Sequence, residues 1–226
     1  MSGLRGFAVL LALALACGGK TPGPLTRGEK KTPDGLVLVE HHRKGALFIK
    51  PAHGITPHHR YYLTQVLVTY ERDSNHFTPL QEKRIREYVE DTTIGGMTSE
   101  GSSMVTGPGA CILSMGIGLV DVELTEPDGS GSSTSLLSTW GGVTLVVDLR
   151  DSVTEEPLLR YGRRVQFPGG IQWQDDQPPW AHVRLTLDKL LLDQRTTLLQ
   201  DLPKSTVAST HCIPPDPNEA TTARAH

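Results

Sequence analysis

The chain has 226 residues, with 22 Lys and Arg against 25 Asp and Glu, for a formal net charge of −3. It shows no basic stripe and no dense Lys/Arg cluster, which excludes nucleic acid and anionic lipid surfaces as main partners. Aromatic residues make up 5% of the chain, too few for a platform that stacks bases or sugars.

The first elements are not structural. Arg5 precedes an unbroken apolar run from Phe7 to Ala16, and Ala16 stands directly before Cys17. A positive n-region, a short h-region and a small residue at the cleavage point form a secretory signal over residues 1–16. The run is about half the length that a bilayer-crossing helix needs. Its ending, Ala14-Leu15-Ala16-Cys17, resembles a bacterial lipobox, with Ala where the commonest form has Leu. That resemblance implies cleavage just before Cys17 and acylation of its thiol and amine. One chain holds a protein to a bilayer only marginally, whereas two or three make a durable anchor. Gly18 follows in place of the Asp that retains many lipoproteins in the inner membrane. By the same resemblance, the expected location is the periplasmic leaflet of a Gram-negative outer membrane. Ordinary secretion with a free Cys17 is the alternative.

Residues 17–35 are rich in Gly, Pro, Thr and Lys and read as a tether that lets the folded part stand off the membrane. One domain is expected over residues 36–203, followed by a polar, Pro-rich tail over 204–226. Short apolar runs at 36–40 and 46–50 come first. Residues 62–71 alternate, with Tyr62, Thr64, Val66, Val68 and Tyr70 on one side and Leu63, Gln65, Leu67 and Thr69 on the other. Apolar groups on both sides predict an inner strand. Thr78-Pro79-Leu80-Gln81 reads as an N-cap, a Pro at N1 and a capping-box Gln. It opens a helix with a stripe of Ile85, Tyr88 and Val89, which Gly95-Gly96 is expected to stop.

The strongest strand pattern spans 110–124. Cys111, Leu113, Met115, Ile117 and Leu119 share one face, and Ser114, Gly116 and Gly118 share the other; these small residues would let another element or a partner approach. Strands over 142–151 and 158–167 form a hairpin around the turn at 151–157. Pro178-Pro179 opens the last helix, 180–201. Val183, Leu187, Leu190, Leu191 and Leu198 are its core stripe, and Leu185, Leu192 and Leu199 widen the apolar face. The fold class expected is α+β: a single mixed or antiparallel sheet of about four to six strands, with the two helices packed on one face.

The order of these motifs resembles bacterial lipoproteins carrying domain of unknown function 3313. The resemblance runs from the lipobox through Leu47-Phe48-Ile49-Lys50-Pro51, Tyr61-Tyr62-Leu63, Gln65-Val66-Leu67-Val68, Pro108-Gly109-Ala110-Cys111-Ile112-Leu113 and Gly142-Val143-Thr144 to residues 148–155. It implies a small α+β envelope lipoprotein and supplies no catalytic residues.

Candidate chemistry is sparse. Of nine histidines, His41, His42, His53, His58 and His59 fall within nineteen residues, and imidazole is a common ligand for zinc, copper and nickel. The weak metal candidates are His53, His58 and His59; their spacing matches no HxxxH or HExxH helix, so exposed loop histidines are the preferred reading. An exported protein meets an oxidising compartment, which allows a Cys111–Cys212 disulfide. Against that pairing, Cys111 sits in an apolar strand pattern, where a buried thiol behaves as a small hydrophobe. Ser114 and Ser138 centre no nucleophile elbow. The pairs Glu155/Glu156 and Asp175/Asp176 read as solvated turns. Trp173 and Trp180 would seal the edge of the core. No enzyme activity and no cofactor are expected. The role expected is non-catalytic binding or scaffolding in the envelope, with membrane attachment through the acyl chains of Cys17 and an envelope protein as a candidate partner. An auxiliary subunit of an envelope transport system for lipid or solute is the next alternative, and a metal-binding protein the third.

Overall fold

The computed structural model describes residues 31–42, 45–56, 59–124, 140–168, 178–200, 202 and 212. In chain order the elements are β1 (Val37–His42), β2 (Gly45–Ile49), β3 (Arg60–Tyr70), α1 (Pro79–Ser99), β4 (Ile112–Leu124), β5 (Gly141–Asp151), β6 (Pro157–Gln166) and α2 (Trp180–Leu199). The strands form one six-stranded sheet in the order β1-β2-β6-β5-β4-β3. β3 and β4 run parallel, joined through α1, and every other neighbouring pair is antiparallel. This is the α+β single domain expected from the hydrophobic pattern, with a mixed sheet and two helices.

The core lies between the sheet and its helices. Leu113, Met115, Ile117 and Leu119 of β4 and Val143, Leu145, Val147 and Leu149 of β5 are buried with Ile85, Val89 and Met97 of α1 and Val183, Leu187, Leu190, Leu191 and Leu198 of α2. Each of these leucines and isoleucines contributes roughly 1.5–3 kcal/mol by leaving water, which is why the period-two and period-3.6 stripes locate the packing faces. Arg163 of β6 is ion-paired to Asp193 of α2, tying that helix to the sheet.

β3 is an edge strand, not the inner strand that its alternation predicted. A bulge explains the pattern. Tyr61 and Leu63 register with Leu113 and Met115, the register shifts between Leu63 and Gln65, and Val66 and Val68 then register with Ile117 and Leu119. Apolar residues from both parities thus reach the core face, because one extra residue breaks the period of two. The outer edge near Tyr61 is covered by a loop: Tyr61 N–H donates to the Ser103 carbonyl and Val105 N–H to the Tyr61 carbonyl, both at 2.9 Å.

Gly95-Gly96 does not stop α1, which continues to Ser99. Helix propensity argued for a stop, but tertiary packing overrides it. A Cβ on Gly96 would stand 2.7 Å from an Arg195 guanidinium nitrogen of α2, so a small residue lets the second helix approach. At the other end Thr78 caps α1 by accepting the Gln81 N–H at 3.3 Å. The Gln81 side chain does not return to the cap; its Nε2 donates to the Pro178 carbonyl at 3.3 Å, joining the starts of both helices.

β4 carries a second bulge. Asp121 has φ 49, the register shifts between Val120 and Glu123, and Val122 and Leu124 turn into the core. Gly141 fits against this bulge with φ 137. Its absent Cβ would fall 1.8 Å from the Glu123 carbonyl oxygen.

Of the flank assigned to Leu185, Leu192 and Leu199, only Leu199 packs on the core. Leu185 and Leu192 point outward, 63% and 54% exposed. The tether expected to reach residue 35 also ends earlier. Thr32 and Leu36 are buried, and the Leu36 N–H donates to Thr32 Oγ1 at 2.9 Å.

Candidate functional site

Three polar assemblies stand out. The first lies on the sheet face opposite the helices. Arg160 of β6 and Asp148 of β5 are 6% and 4% exposed, an environment that tolerates charge only when it is paired. Arg160 donates to Asp148 Oδ1 at 3.1 and 3.2 Å and to Asp34 Oδ2 at 2.8 Å. Arg150 Nε donates to the other Asp148 oxygen at 2.6 Å. Every carboxylate has a cationic partner, so the cluster clamps the segment around Asp34 to the sheet.

The second assembly gathers the sequence candidates at the ends of β3, β4 and β5. Cys111 does not share the alternation of β4. It precedes the strand with φ 57, and its carbonyl accepts the Arg60 N–H at 3.0 Å. This backbone conformation presents its sulfur to Cys212, with which it forms a disulfide across 5.3 Å between Cα atoms. His59 Nε2 lies 3.3 Å from the Cys212 sulfur, and His59 Nδ1 accepts the Thr56 N–H at 3.1 Å. His53 Nδ1 accepts the Ile55 N–H at 3.0 Å. In both rings Nδ1 is thus engaged with the backbone of its own turn. His58 lies outside the described residues, as do Cys17, Asp175, Asp176 and Trp173. Among the described residues no group of three or more His, Cys, Asp and Glu side chains could hold a metal ion. His53 and His59 are buried, so they are not the exposed loop histidines expected; each caps its own turn.

Asp151 sits in the turn after β5, its Oδ1 accepting the N–H groups of Val153 and Thr154 at 2.9 and 2.8 Å. Burial raises its pKa, but those donors, the Thr154 hydroxyl and nearby His59 outweigh that effect and hold the carboxyl below its ordinary value. Glu156 pairs with Lys50. These carboxylates organise turns and do not converge on a substrate position. Gly116 has no close neighbour demanding glycine, since its Cβ would stand an ordinary 3.7 Å from Thr64 Oγ1.

The third assembly is a cavity of about 180 Å³ between α1 and α2, lined by Thr92, Thr93, Met97, Asp188, Leu192 and Arg195 among others. Two further facts make it a candidate binding site. Thr93 and Gln194, which both line it, are 4% and 1% exposed. Among the described residues, Thr93 Oγ1 and Gln194 Nε2 have no hydrogen-bond partner. A buried polar atom left unpaired costs about 1–3 kcal/mol, so a polar guest gains by pairing them. Asp188 and Arg195 stand at the cavity with opposite charges; Asp188 accepts the Tyr88 hydroxyl, and Arg195 reaches Glu100 at 3.9 Å. The volume is below the roughly 300–1,000 Å³ of drug-sized ligand sites, which restricts a guest to a small polar molecule or side chain. Sequence reasoning missed this cleft, because Gly95-Gly96 read as a stop and no local pattern marks Thr93 and Gln194 as meeting between two helices.

No family model matches the sequence, and no curated protein matches it. Solved structures give distant likenesses. A homolog of neuraminyllactose-binding hemagglutinin from Helicobacter pylori aligns with TM-score 0.41 and 11% identity over 67% of this chain and 87% of that one. A PelC dodecamer from Paraburkholderia phytofirmans aligns with TM-score 0.37 and 10% identity over 67% and 96%. A protein of domain-of-unknown-function family 330 from Xanthomonas campestris aligns with TM-score 0.31 and 17% identity over 63% and 90%. Likenesses of this size do not transfer a function.

Proposed function

We propose that this chain is a lipid-anchored envelope lipoprotein facing the periplasm from the outer membrane, with a non-catalytic binding or scaffolding role. The observation that carries the reading is the lipobox-like Ala14-Leu15-Ala16-Cys17 at the end of a secretory signal. Gly18 after the cysteine and the Gly/Pro-rich segment that follows support an outer-membrane anchor with a spacer. The resemblance to lipoproteins carrying domain of unknown function 3313 belongs to the same proposal. The cleft between α1 and α2, with its unpaired Thr93 and Gln194 atoms, supports the binding part of the role. Density-gradient fractionation of cells expressing the wild type or Cys17→Ala tests the anchor. Wild-type protein banding with outer membrane, and the variant leaving it, is the result expected. Wild-type protein in the soluble fraction would overturn the proposal.

A further inference from the structure

The polar groups of the cleft between α1 and α2 are unequal in what they still have to offer. Thr93 Oγ1 and Gln194 Nε2 line it from facing helices, buried and without a hydrogen-bond partner among the described residues. Gln194 Nε2 can only donate and the Thr93 hydroxyl can donate as well, so acceptor oxygens of a guest answer both. Arg195, the next residue on α2, adds a positive charge at the same end. Its ion-pair partner Glu100 stands at 3.9 Å, beyond hydrogen-bond distance, and water screens such a pair at the surface.

Asp188, the carboxylate in the lining, is already engaged. It accepts the Tyr88 hydroxyl and faces Arg184 at 3.8 Å. It also precedes Gln194 by six residues, about 9 Å along a helix axis, which keeps its charge away from an anion held there. Met97, Leu191 and Leu192 supply apolar wall. A dry cavity of about 150 Å³ accepts a guest the size of benzene, so about 180 Å³ suits roughly six non-hydrogen atoms.

We propose that this cleft binds a small aliphatic monocarboxylate. Its oxygens accept from Gln194 Nε2, Thr93 Oγ1 and the Arg195 guanidinium, charge-assisted bonds that a neutral guest would not match, and its chain lies against Met97 and Leu191. This names the ligand class of the binding role proposed above and rests on that role, but not on the anchor.

Calorimetric titration of the detergent-solubilised full chain with sodium butyrate, against sodium chloride at equal ionic strength, tests it. Saturable binding of butyrate is expected. Neutral butyramide, of the same size, should bind about tenfold more weakly or worse, the loss expected when a charged hydrogen bond goes, and butylamine should not bind. Arg195→Gln should weaken butyrate by a similar factor. Thr93→Val with Gln194→Leu should abolish binding yet melt no lower than the wild type, because apolar groups of like shape replace unpaired polar ones. No saturable binding of butyrate, equal binding of butyramide, or unchanged binding in either variant would overturn the proposal. So would a double variant melting well below the wild type, since both atoms would then have been paired already. Cys17→Ala should bind butyrate as the wild type does, so a failed titration removes the ligand alone and a failed acylation the anchor alone.

Discussion

Asp34 shows how single residues tie the fold together and set its response to acid. Burial raises its pKa, but the hydrogen bond with Thr32 and the Arg160 guanidinium prevail, so the carboxyl lies below its ordinary 3.8. Asp151 is lowered as well, its backbone donors outweighing burial. A carboxyl whose pKa is lower folded than unfolded adds stability in full above the unfolded value and loses it as pH falls through the folded value. Stability should therefore decline below about pH 4, and Asp34→Asn with Asp151→Asn should flatten that decline in pH-dependent thermal unfolding. An unchanged acid limb would refute both assignments. Cys111 and Cys212 give a second test at this scale. Alkylation of the unreduced, unfolded chain followed by mass analysis should label neither, and Cys212→Ala should cost about 2–4 kcal/mol, the usual value of a disulfide closing a long loop. Labelling of both without reductant would contradict the bridge.

At the scale of elements, the two hydrophobic periods were legible: the strands at 142–151 and 158–167 and the core stripe of the last helix lie where the pattern puts them. Bulges were not legible. Nothing in Leu63-Thr64-Gln65 or Val120-Asp121-Val122 marks an extra residue, because a bulge is defined by the partner strand; β3 thus read as an inner strand. Glycine was ambiguous for the same reason. Gly95 has open space where a Cβ would go, so Gly95→Ala should stabilise α1 by about 0.5–1 kcal/mol. Gly141 has no such room, and Gly141→Ala should destabilise by about 2–4 kcal/mol, combining a disfavoured φ with overpacking. Chemical denaturation of the two variants checks the contrast, and similar midpoints would show the β4–β5 geometry to be wrong. The disulfide was obscured by the alternation around Cys111, and the cleft by its dependence on two helices 90 residues and more apart in sequence.

For the whole molecule, the domain is a sheet with its helices on one side and its N-terminal segment clamped on the other through Asp34, Arg160 and Asp148. An anchor preceding that clamp would leave α2 and the cleft on the helix-bearing side of the sheet, free to meet a small ligand. The proposal as a whole depends on the chemistry of Cys17. Intact mass spectrometry of the natively expressed protein beside Cys17→Ala tests it most directly. The account predicts a mature chain that begins at Cys17 and is heavier than its polypeptide by attached acyl chains, with no such species in the variant. A wild-type mass equal to that of the bare polypeptide would contradict it and leave a secreted domain with a free Cys17.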